Sequence, residues 1–305
     1  MNKIHKPLKN IPASVKERLL SIAHTNHVEF NFVLRQYFQE RFLFRLSQSN
    51  YAGNFVLKGA LLLLAYDITR SRPTRDIDFL GIKISNDMPE IEMMIREIAS
   101  IQYEDGVSYL KDTIKIERIK EDAEYEGIRV SMQCLLGSVK GNLQIDIGFG
   151  DKIVYGPNKV EFPVLLDYES PKLQVYSLES AIAEKFEAIV SLGLSSSRMK
   201  DYYDILFLAY HHSFKSIELA EALAATFKNR GTELYDYKYV FNANFRKDTD
   251  LQQMWIAFLE KRKIESERNF SKVVVKLELF LLPCLEKQNT TLVWNSKSFS
   301  WENVS

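Results

Sequence analysis

The stretch that decides the fold reads NFVLKGALLLLA at residues 54–65 and, after a polar loop, RPTRDIDFLGI at residues 72–82. Residues 54–57 are rich in strand formers, and the apolar run that follows Gly59 predicts a helix buried on most sides. Charged and apolar residues then alternate from residue 76, as they do in a strand with one exposed face. The stretch therefore predicts a strand, a helix and a second strand in close succession.

Two aspartates in the second of these strands are candidate metal ligands. Asp76 and Asp78 lie two positions apart, so their side chains point to one face of the strand. At the rise of a strand, the two carboxylates are about 6.5–7 Å apart, and they repel each other unless a cation lies between them. Oxygen ligands alone favour Mg²⁺ or Mn²⁺. A solvent-facing edge strand is the alternative, and the preceding strand, glycine and helix favour the metal site.

Gly59 and Asp146 extend this candidate site. Gly59 ends the first strand at the start of a helix, where a phosphate can approach the backbone closely and the helix dipole favours an anion. A phosphate site beside metal-binding carboxylates suits nucleotide chemistry. Asp146 lies in the alternating segment 143–147 and becomes a third carboxylate if that segment pairs beside the strand of Asp76. An exposed strand position is the alternative for Asp146.

The remaining pattern divides the chain into two parts. Residues 11–49 predict two helices, the first capped by Ser14, and the alternating residues 113–149 predict antiparallel strands with a turn at Gly141. Helices are predicted from Ser177 onward, at residues 201–212, 216–228 and 251–283, with Pro283 as the end of the last. The expected fold class is α+β. A mixed-sheet domain with N-terminal helices spans residues 1–172, and a helical C-terminal domain spans residues 173–305.

Composition excludes several classes of protein. The 305 residues are 46% hydrophobic and carry 40 basic and 40 acidic side chains, so the net charge gives no overall attraction to nucleic acid. Residues 1–50 nevertheless hold a local surplus of basic side chains. No apolar run approaches the roughly 20 residues that span a bilayer, so we expect a cytoplasmic protein without membrane contact. The two cysteines, Cys134 and Cys284, are too few for a disulfide framework or a zinc site.

Two pairs of sequence strings resemble the signatures of a known family. VLKGA at residues 56–60 with RPTRDIDF at residues 72–79 looks like the first motif of nucleotidyltransferases of the DNA-polymerase-β type. More narrowly, it resembles the AbiEii/AbiGii toxin family. EKFEAIVSLG at residues 184–193 with RMKDYYDI at residues 198–205 resembles that family's second signature. With both motifs in this order, the resemblance extends over nearly the whole chain.

The resemblance implies a mixed-sheet nucleotidyltransferase domain that transfers a nucleoside monophosphate from an NTP to an acceptor. Asp76 and Asp78 would coordinate two Mg²⁺ or Mn²⁺ ions, and Asp146 would complete the ion nearer the attacking hydroxyl. Lys58 and Gly59 match nucleotide-binding positions of the first motif.

Four further positions receive roles from the resemblance. Thr74 would contact phosphate or orient the loop before Asp76, and Lys185 would neutralise the triphosphate. Asp204, or Asp201, would hold Lys185 or help to activate the acceptor. Without the resemblance, these three charged residues are typical of solvent-exposed helix faces.

The family further implies a toxin of a toxin–antitoxin or phage-defence (abortive infection) system, with a separate antitoxin protein. RNA, and tRNA ends in particular, is the first acceptor to test. Three alternatives stay open: a nucleotidyltransferase that modifies a protein or small molecule, a non-catalytic interaction module, and a two-metal nuclease that uses the same carboxylates and consumes no NTP.

Overall fold

The structure, a computed structural model, describes residues 10–66, 74–120, 126–286 and 291–303. It consists of two compact units. The first contains the described residues up to Gly150 together with Lys159–Val175, and the second contains Asp151–Asn158 and the described residues from Tyr176 onward. The boundary predicted after residue 172 lies close to Tyr176, whereas residues 151–158, predicted within the first domain, group with the second unit.

The first unit is built on a seven-stranded mixed sheet. Its elements are α1 (Ile11–Thr25), α2 (Phe30–Ser47), β1 (Phe55–Lys58), α3 (Gly59–Tyr66), β2 (Asp76–Gly81), α4 (Met88–Ser100), β3 (Val107–Lys120), β4 (Glu126–Leu136), β5 (Val139–Phe149), β6 (Asn158–Glu161) and β7 (Lys172–Val175). The strand order in the sheet is β3-β4-β5-β2-β1-β7-β6. Strand β2 runs parallel to β5 and antiparallel to β1, while β1 runs parallel to β7. The predicted fold class and the succession of strand, helix and strand are confirmed.

Two local predictions in this unit are wrong for identifiable reasons. Asn10, and not Ser14, caps α1, since its side-chain oxygen accepts a hydrogen bond from the amide of Ala13 at 3.1 Å. Pro12 fits the first turn because it has no N–H to satisfy there, so the helix starts earlier. Gly141 lies within β5 and not in a turn: a Cβ there would lie 2.9 Å from Cδ2 of Phe38 and closer still to Cε2, so the glycine lets α2 pack onto the strand.

The second unit is mainly helical, as predicted. Its elements are α5 (Leu178–Leu192), α6 (Met199–His211), α7 (Ser216–Arg230), α8 (Tyr237–Val240), α9 (Ala243–Arg246), α10 (Thr249–Arg262), α11 (Phe270–Leu285), β8 (Leu292–Asn295) and β9 (Ser300–Asn303). Ser177 caps α5 as expected, by accepting a hydrogen bond from the amide of Ser180. The β8–β9 hairpin carries Trp294, whose ring is fully buried with its centroid 4.8 Å from that of Phe280.

Residues 251–283 do not form one continuous helix. Lys263 takes a left-handed conformation after α10, and a charged, polar segment separates it from Asn269, which caps α11. Pro283 lies inside the last turn of α11, which ends at Leu285 and not at the proline. Cys134 and Cys284 are both buried, and neither forms a disulfide. Of the helices in the described residues, none combines the length and the apolar character that crossing a membrane requires.

Candidate active site

The register between β2 and β5 places the candidate carboxylates on one face of the sheet. Asp78 lies directly across from Asp146 on β5, and Lys58 lies directly across from Asp78 on β1. Residues opposite each other on neighbouring strands project to the same face, and Asp76 shares that face because it lies two positions from Asp78. Ile77, by contrast, is fully buried in the core on the other face. Three carboxylates and one lysine therefore share one patch of the sheet.

An arginine that the sequence analysis did not single out holds the third carboxylate. Arg129 lies across from Asp146 on β4, and its Nε and Nη2 donate hydrogen bonds of 2.8 Å each to the two oxygens of Asp146. The side chain of Arg129 is 35% exposed and that of Asp146 is 9% exposed. These hydrogen bonds raise the pKa of Arg129, and the negative charges of Asp146 and Asp76 raise it further. Arg129 is therefore a charged member of this patch.

Gly59 provides the space that Asp78 occupies. Its φ of +69° is in the left-handed region that favours glycine. A Cβ at this position would lie 2.6 Å from Cγ and 2.8 Å from Cβ of Asp78, and nearer still to Oδ2. The carboxylate of Asp78 thus lies directly against the backbone where α3 begins. Lys58, the residue before Gly59, is 3% exposed.

Two hydrogen bonds hold the backbone at Arg75 and Asp76, where β2 begins. The Thr74 hydroxyl donates to the carbonyl oxygen of Asp76 at 3.4 Å, and the Gln39 side chain donates to the carbonyl oxygen of Arg75 at 3.1 Å. Thr74 is half-buried. The two roles expected for Thr74 are a contact with phosphate and the orientation of the loop before Asp76. Its hydrogen bond to the Asp76 backbone is of the second type. The remainder of the expected loop, residues 67–73, lies outside the described residues.

The carboxylates of this patch suit a hard divalent cation, but one of them, Asp146, is already bound by Arg129. Carboxylate oxygens are the ligands that Mg²⁺ and Mn²⁺ take in proteins, and Asp76 and Asp78 present them from one face of β2. Both oxygens of Asp146 are bonded to Arg129, and in the described part of the chain no group of three or more His, Cys, Asp or Glu side chains is arranged around a metal position. Asp76, Asp78 and Asp146 therefore present carboxylate oxygens that suit a metal from one face of the sheet, and at Asp146 a metal would compete with Arg129 for these oxygens.

The second unit holds a buried ion-pair cluster built on α5 and α6. Lys185 Nζ donates hydrogen bonds to Oδ2 of Asp204 at 2.8 Å and to Oδ1 of Asp201 at 3.3 Å. Arg198 Nε donates to the other oxygen of Asp201 at 2.6 Å. Both aspartates have no exposed surface, and the side chain of Lys185 is 11% exposed. These charged residues are therefore not part of a solvent-exposed helix face, and Asp204 lies nearer to Lys185 than Asp201 does.

A family model and several solved structures match this chain. The family model described as "Nucleotidyl transferase AbiEii toxin, Type IV TA system" matches residues 41–275, and no curated protein matches the chain. Among solved structures, MenT4, a nucleotidyltransferase toxin from Mycobacterium tuberculosis, is 14% identical with a TM-score of 0.50, over 94% of this chain and 92% of that one. JHP933 from Helicobacter pylori is 20% identical with a TM-score of 0.41, over 82% of this chain and 98% of that one.

At this identity, the likeness to MenT4 shows a shared fold. The family match shows more than the fold, because the matched range covers more than half of the chain. Asp76, Asp78, Asp146, Lys185 and Asp204 all lie within that range. The chain belongs to the AbiEii nucleotidyl transferase toxin family of type IV toxin–antitoxin systems.

Proposed function

We propose that this protein is a metal-dependent toxin that transfers a nucleoside monophosphate from an NTP to an RNA acceptor, with tRNA as the first candidate. The observation that carries the proposal is the parallel pairing of β2 with β5, which sets Asp78 beside Asp146 on the face that Asp76 shares. A patch of carboxylates at the start of a helix is what a metal-bound triphosphate requires. Family membership adds the reaction class.

In the proposed reaction, a hydroxyl oxygen of the acceptor forms a bond to the α-phosphorus of the NTP. The bond from that phosphorus to the bridging oxygen breaks, pyrophosphate leaves, and the hydroxyl proton passes to solvent. Asp76 and Asp78 would hold Mg²⁺ or Mn²⁺, with Asp146 as a further ligand once it has parted from Arg129. The bound cations would lower the pKa of the hydroxyl and balance the charge on the attacking and leaving oxygens.

The nucleotide would be held by the backbone and side chains around Gly59. The left-handed conformation of Gly59 and the absence of a Cβ place the Asp78 carboxylate against the first turn of α3, so a metal held by Asp78 would bring the phosphates to this helix start. Lys58 would supply positive charge from β1, and Thr74 would keep the Asp76 backbone in place. These residues orient the nucleotide relative to the carboxylates.

Lys185 would balance the negative charge that develops on the leaving pyrophosphate. Its two hydrogen bonds to Asp204 and Asp201 restrict the side chain, so less conformational entropy is lost when it meets a phosphate. We assign Asp204 as the main positioning residue, because its bond to Lys185 is the shorter one and Asp201 also binds Arg198. A separate antitoxin protein and a cytoplasmic site of action, where NTPs and tRNA are present, complete the proposal.

The experiment that tests this function follows the label of an NTP. The purified protein is incubated with Mg²⁺, each NTP in turn, and total tRNA, cell protein or small-molecule metabolites as acceptors. Each NTP is labelled with radioactive phosphorus at the α or the γ position. We expect the α label to enter RNA and the γ label to appear in pyrophosphate.

Other outcomes identify the alternatives. An α label in a protein band or a small molecule would replace the RNA acceptor but keep the transferase. Degraded tRNA with every NTP intact would favour a nuclease, and an absence of any chemistry would favour an interaction module.

A further inference from the structure

One face of strands β3, β4 and β5 is polar, and it is the face that holds Asp146. Cross-strand partners project to the same side of a sheet, and so do residues two positions apart on one strand. By this register, the side chains that share the face with Asp146 include Lys115, Ser131, Gln133, Lys140, Asn142 and Gln144. We call these six residues the polar face. Its two lysines, Gln133 and Asn142 are exposed, while Ser131 and Gln144 are half-buried.

The opposite face of the same strands belongs to the core. Gly141 faces α2 there and contacts Phe38, and Val130, Leu143 and Ile145 are buried. Antiparallel sheets commonly pack one face on the core and leave the other to solvent. Here the face left to solvent is the one that continues into the carboxylate patch, so a ligand on the polar face can reach the candidate catalytic residues.

The polar face extends from Asp146 in two directions. Along β5, the α carbon of Asn142 is about 14 Å from that of Asp146, and that of Lys140 is about 20 Å away. Lys115 lies two strands across and two residues along, which places its α carbon about 12 Å from that of Asp146. Two cations thus flank the amides at distances of several nucleotides from the carboxylate patch.

The side chains of the polar face indicate the class of ligand. Its amides and its hydroxyl both donate and accept hydrogen bonds, as the 2′-hydroxyl of ribose also does. In the described part of the chain, Lys115 and Lys140 form no ion pair, so their charges are available to phosphates. This combination suits RNA.

The composition of the polar face also distinguishes a paired RNA from an unpaired one. The described residues of β3, β4 and β5 place no aromatic side chain on this face. Aromatic side chains are the groups on which unpaired bases stack, and they are enriched in the centre of protein interfaces. A base-paired RNA helix is instead contacted through its phosphates and its 2′-hydroxyl groups. The polar face therefore fits a paired stem better than an unpaired strand or a protein.

We propose that the polar face binds a base-paired stem of the acceptor RNA, with the reacting end of the strand at the carboxylate patch. Lys115 and Lys140 bind phosphates of the stem. Gln133 and Asn142, which lie directly across from each other, form hydrogen bonds with its 2′-hydroxyl groups. The inference deepens the proposed function and rests on it for the identity of the ligand as RNA.

The pair nearest the carboxylate patch contacts the end of the stem. Ser131 and Gln144 lie directly across from each other, two residues along from Arg129 and Asp146, which is a distance of about 7 Å. The Gln144 amide already donates a hydrogen bond of 3.5 Å to Oδ1 of Asp146. The hydroxyl and the amide of this pair are therefore placed to contact the nucleotide that carries the reacting hydroxyl.

The first test measures how RNA affinity depends on salt. A fluorescein-labelled RNA hairpin with a short unpaired 3′ end is titrated by anisotropy over a range of KCl concentrations, without NTP. Each phosphate contact contributes about 0.7–0.9 to the slope of log K against log salt, so Lys115→Gln/Lys140→Gln should have a slope shallower by roughly 1.4–1.8. Lys115→Arg/Lys140→Arg keeps both charges and should have the wild-type slope.

A matched pair of lysines controls for general electrostatics. Lys159 on β6 and Lys172 on β7 are exposed and lie at the opposite end of the same sheet. The variant Lys159→Gln/Lys172→Gln makes the same change in net charge as Lys115→Gln/Lys140→Gln. We expect the control variant to keep the wild-type slope.

The second test addresses the 2′-hydroxyl groups. The hairpin is compared with the same hairpin carrying 2′-fluoro groups throughout its stem, which keeps the A-form geometry, and with an unpaired RNA of equal length. We expect wild type to bind the unmodified hairpin most tightly. Gln133→Val/Asn142→Val keeps strand-forming residues but removes both amides, so it should lose roughly tenfold in its preference for the unmodified over the fluorinated stem, at an unchanged salt slope.

Several results would overturn the proposal. These are a wild-type protein that binds the unpaired RNA as tightly as the hairpin, equal slopes in the two lysine-to-glutamine variants, or a valine variant that keeps the full preference for 2′-hydroxyl groups. A loss of NTP affinity in Lys115→Gln/Lys140→Gln, measured by calorimetry, would assign the lysines to the triphosphate instead. Because RNA binding is measured without NTP, failure of the labelling assay alone would refute the proposed function and not the polar face as an RNA site.

Discussion

Replacing Gly59 by alanine tests how the carboxylate patch is built. A Cβ at this position would lie 2.6 Å from Cγ of Asp78 and nearer still to Oδ2, whereas ordinary contacts begin at 3.4 Å, so the carboxyl group must move by at least about 0.8 Å or the backbone must shift. A misplacement of about 1 Å at a reacting centre costs roughly 100-fold in rate. We therefore expect Gly59→Ala to reduce nucleotidyl transfer about 100-fold, which corresponds to roughly 2.7 kcal/mol in the activation free energy.

A second glycine gives the matched control for this variant. Gly231, at the end of α7, has φ of +70°, against +69° for Gly59, and a Cβ there would meet no atom within 4 Å. Both alanine variants accept the same left-handed conformation, at a cost of about 1–2 kcal/mol in folding stability. Only Gly59→Ala also displaces Asp78.

The assay compares both variants with wild type in three measurements: the midpoint of urea unfolding, the affinity for Mn²⁺ by electron paramagnetic resonance, and the transfer rate. We expect both variants to unfold at lower urea than wild type, and only Gly59→Ala to lose Mn²⁺ affinity and transfer. Wild-type transfer and Mn²⁺ affinity in Gly59→Ala, or equal losses in both variants, would refute the argument that Gly59 makes room for Asp78.

Three further predictions concern buried and paired charges. Lys185→Met removes the lysine that the buried carboxylates of Asp201 and Asp204 bind, so the free energy of unfolding measured in urea should fall by about 3–5 kcal/mol. The double variant Lys185→Met/Asp204→Leu should recover part of this loss. An unchanged urea midpoint in the single variant would contradict the buried cluster. Arg129→Gln removes the competitor for Asp146, so Mn²⁺ should bind more tightly than to wild type in the absence of NTP, and an equal or weaker affinity would argue against competition. Burial raises the pKa of Glu40 from 4.5 to about 8, so the folded protein keeps a proton that the unfolded chain has lost, and stability should fall as pH rises through this window. The urea midpoint should therefore drop more between pH 4.5 and 8 in wild type than in Glu40→Gln, and parallel curves would count against this account.

The parts of the fold that sequence predicts well are those that local pattern determines. The alternation around Ile77 and the apolar run after Gly59 indicate the strand and the helix, because each depends on neighbours within a few residues. The turn expected at Gly141 is wrong because that glycine serves contact with Phe38, a residue more than a hundred positions earlier. A glycine has several uses in a strand, and only the tertiary contact shows which one applies.

The candidate site shows the same limit. Sequence places Asp76 and Asp78 on one face, but the approach of Asp146 depends on which strands pair, and this is a long-range property. Arg129 could not be found, since its partnership with Asp146 follows from the register between β4 and β5.

The buried cluster around Lys185 is a second part of the structure that the sequence pattern does not reveal. Charged residues on helices are usually exposed, so the burial of Lys185 with Asp201 and Asp204 runs against the base expectation. The sequence around Lys185 gives no sign of this burial, since Glu184 and Glu187 also lie in this part of α5. Inside the protein, the buried lysine is balanced by acidic partners.

The central claim, that Asp76 and Asp78 hold the metal that drives transfer, is tested most directly by one rate measurement. The rate at which α-labelled NTP labels tRNA is measured against Mg²⁺ concentration for wild type, Asp76→Asn and Asp78→Asn. Each asparagine has nearly the same shape as the aspartate but lacks the negative charge that the cation requires. We predict saturating Mg²⁺ dependence in wild type and no transfer above background in either variant at any Mg²⁺ concentration. Transfer by either variant at the wild-type rate, or by wild type without any divalent cation, would contradict the account.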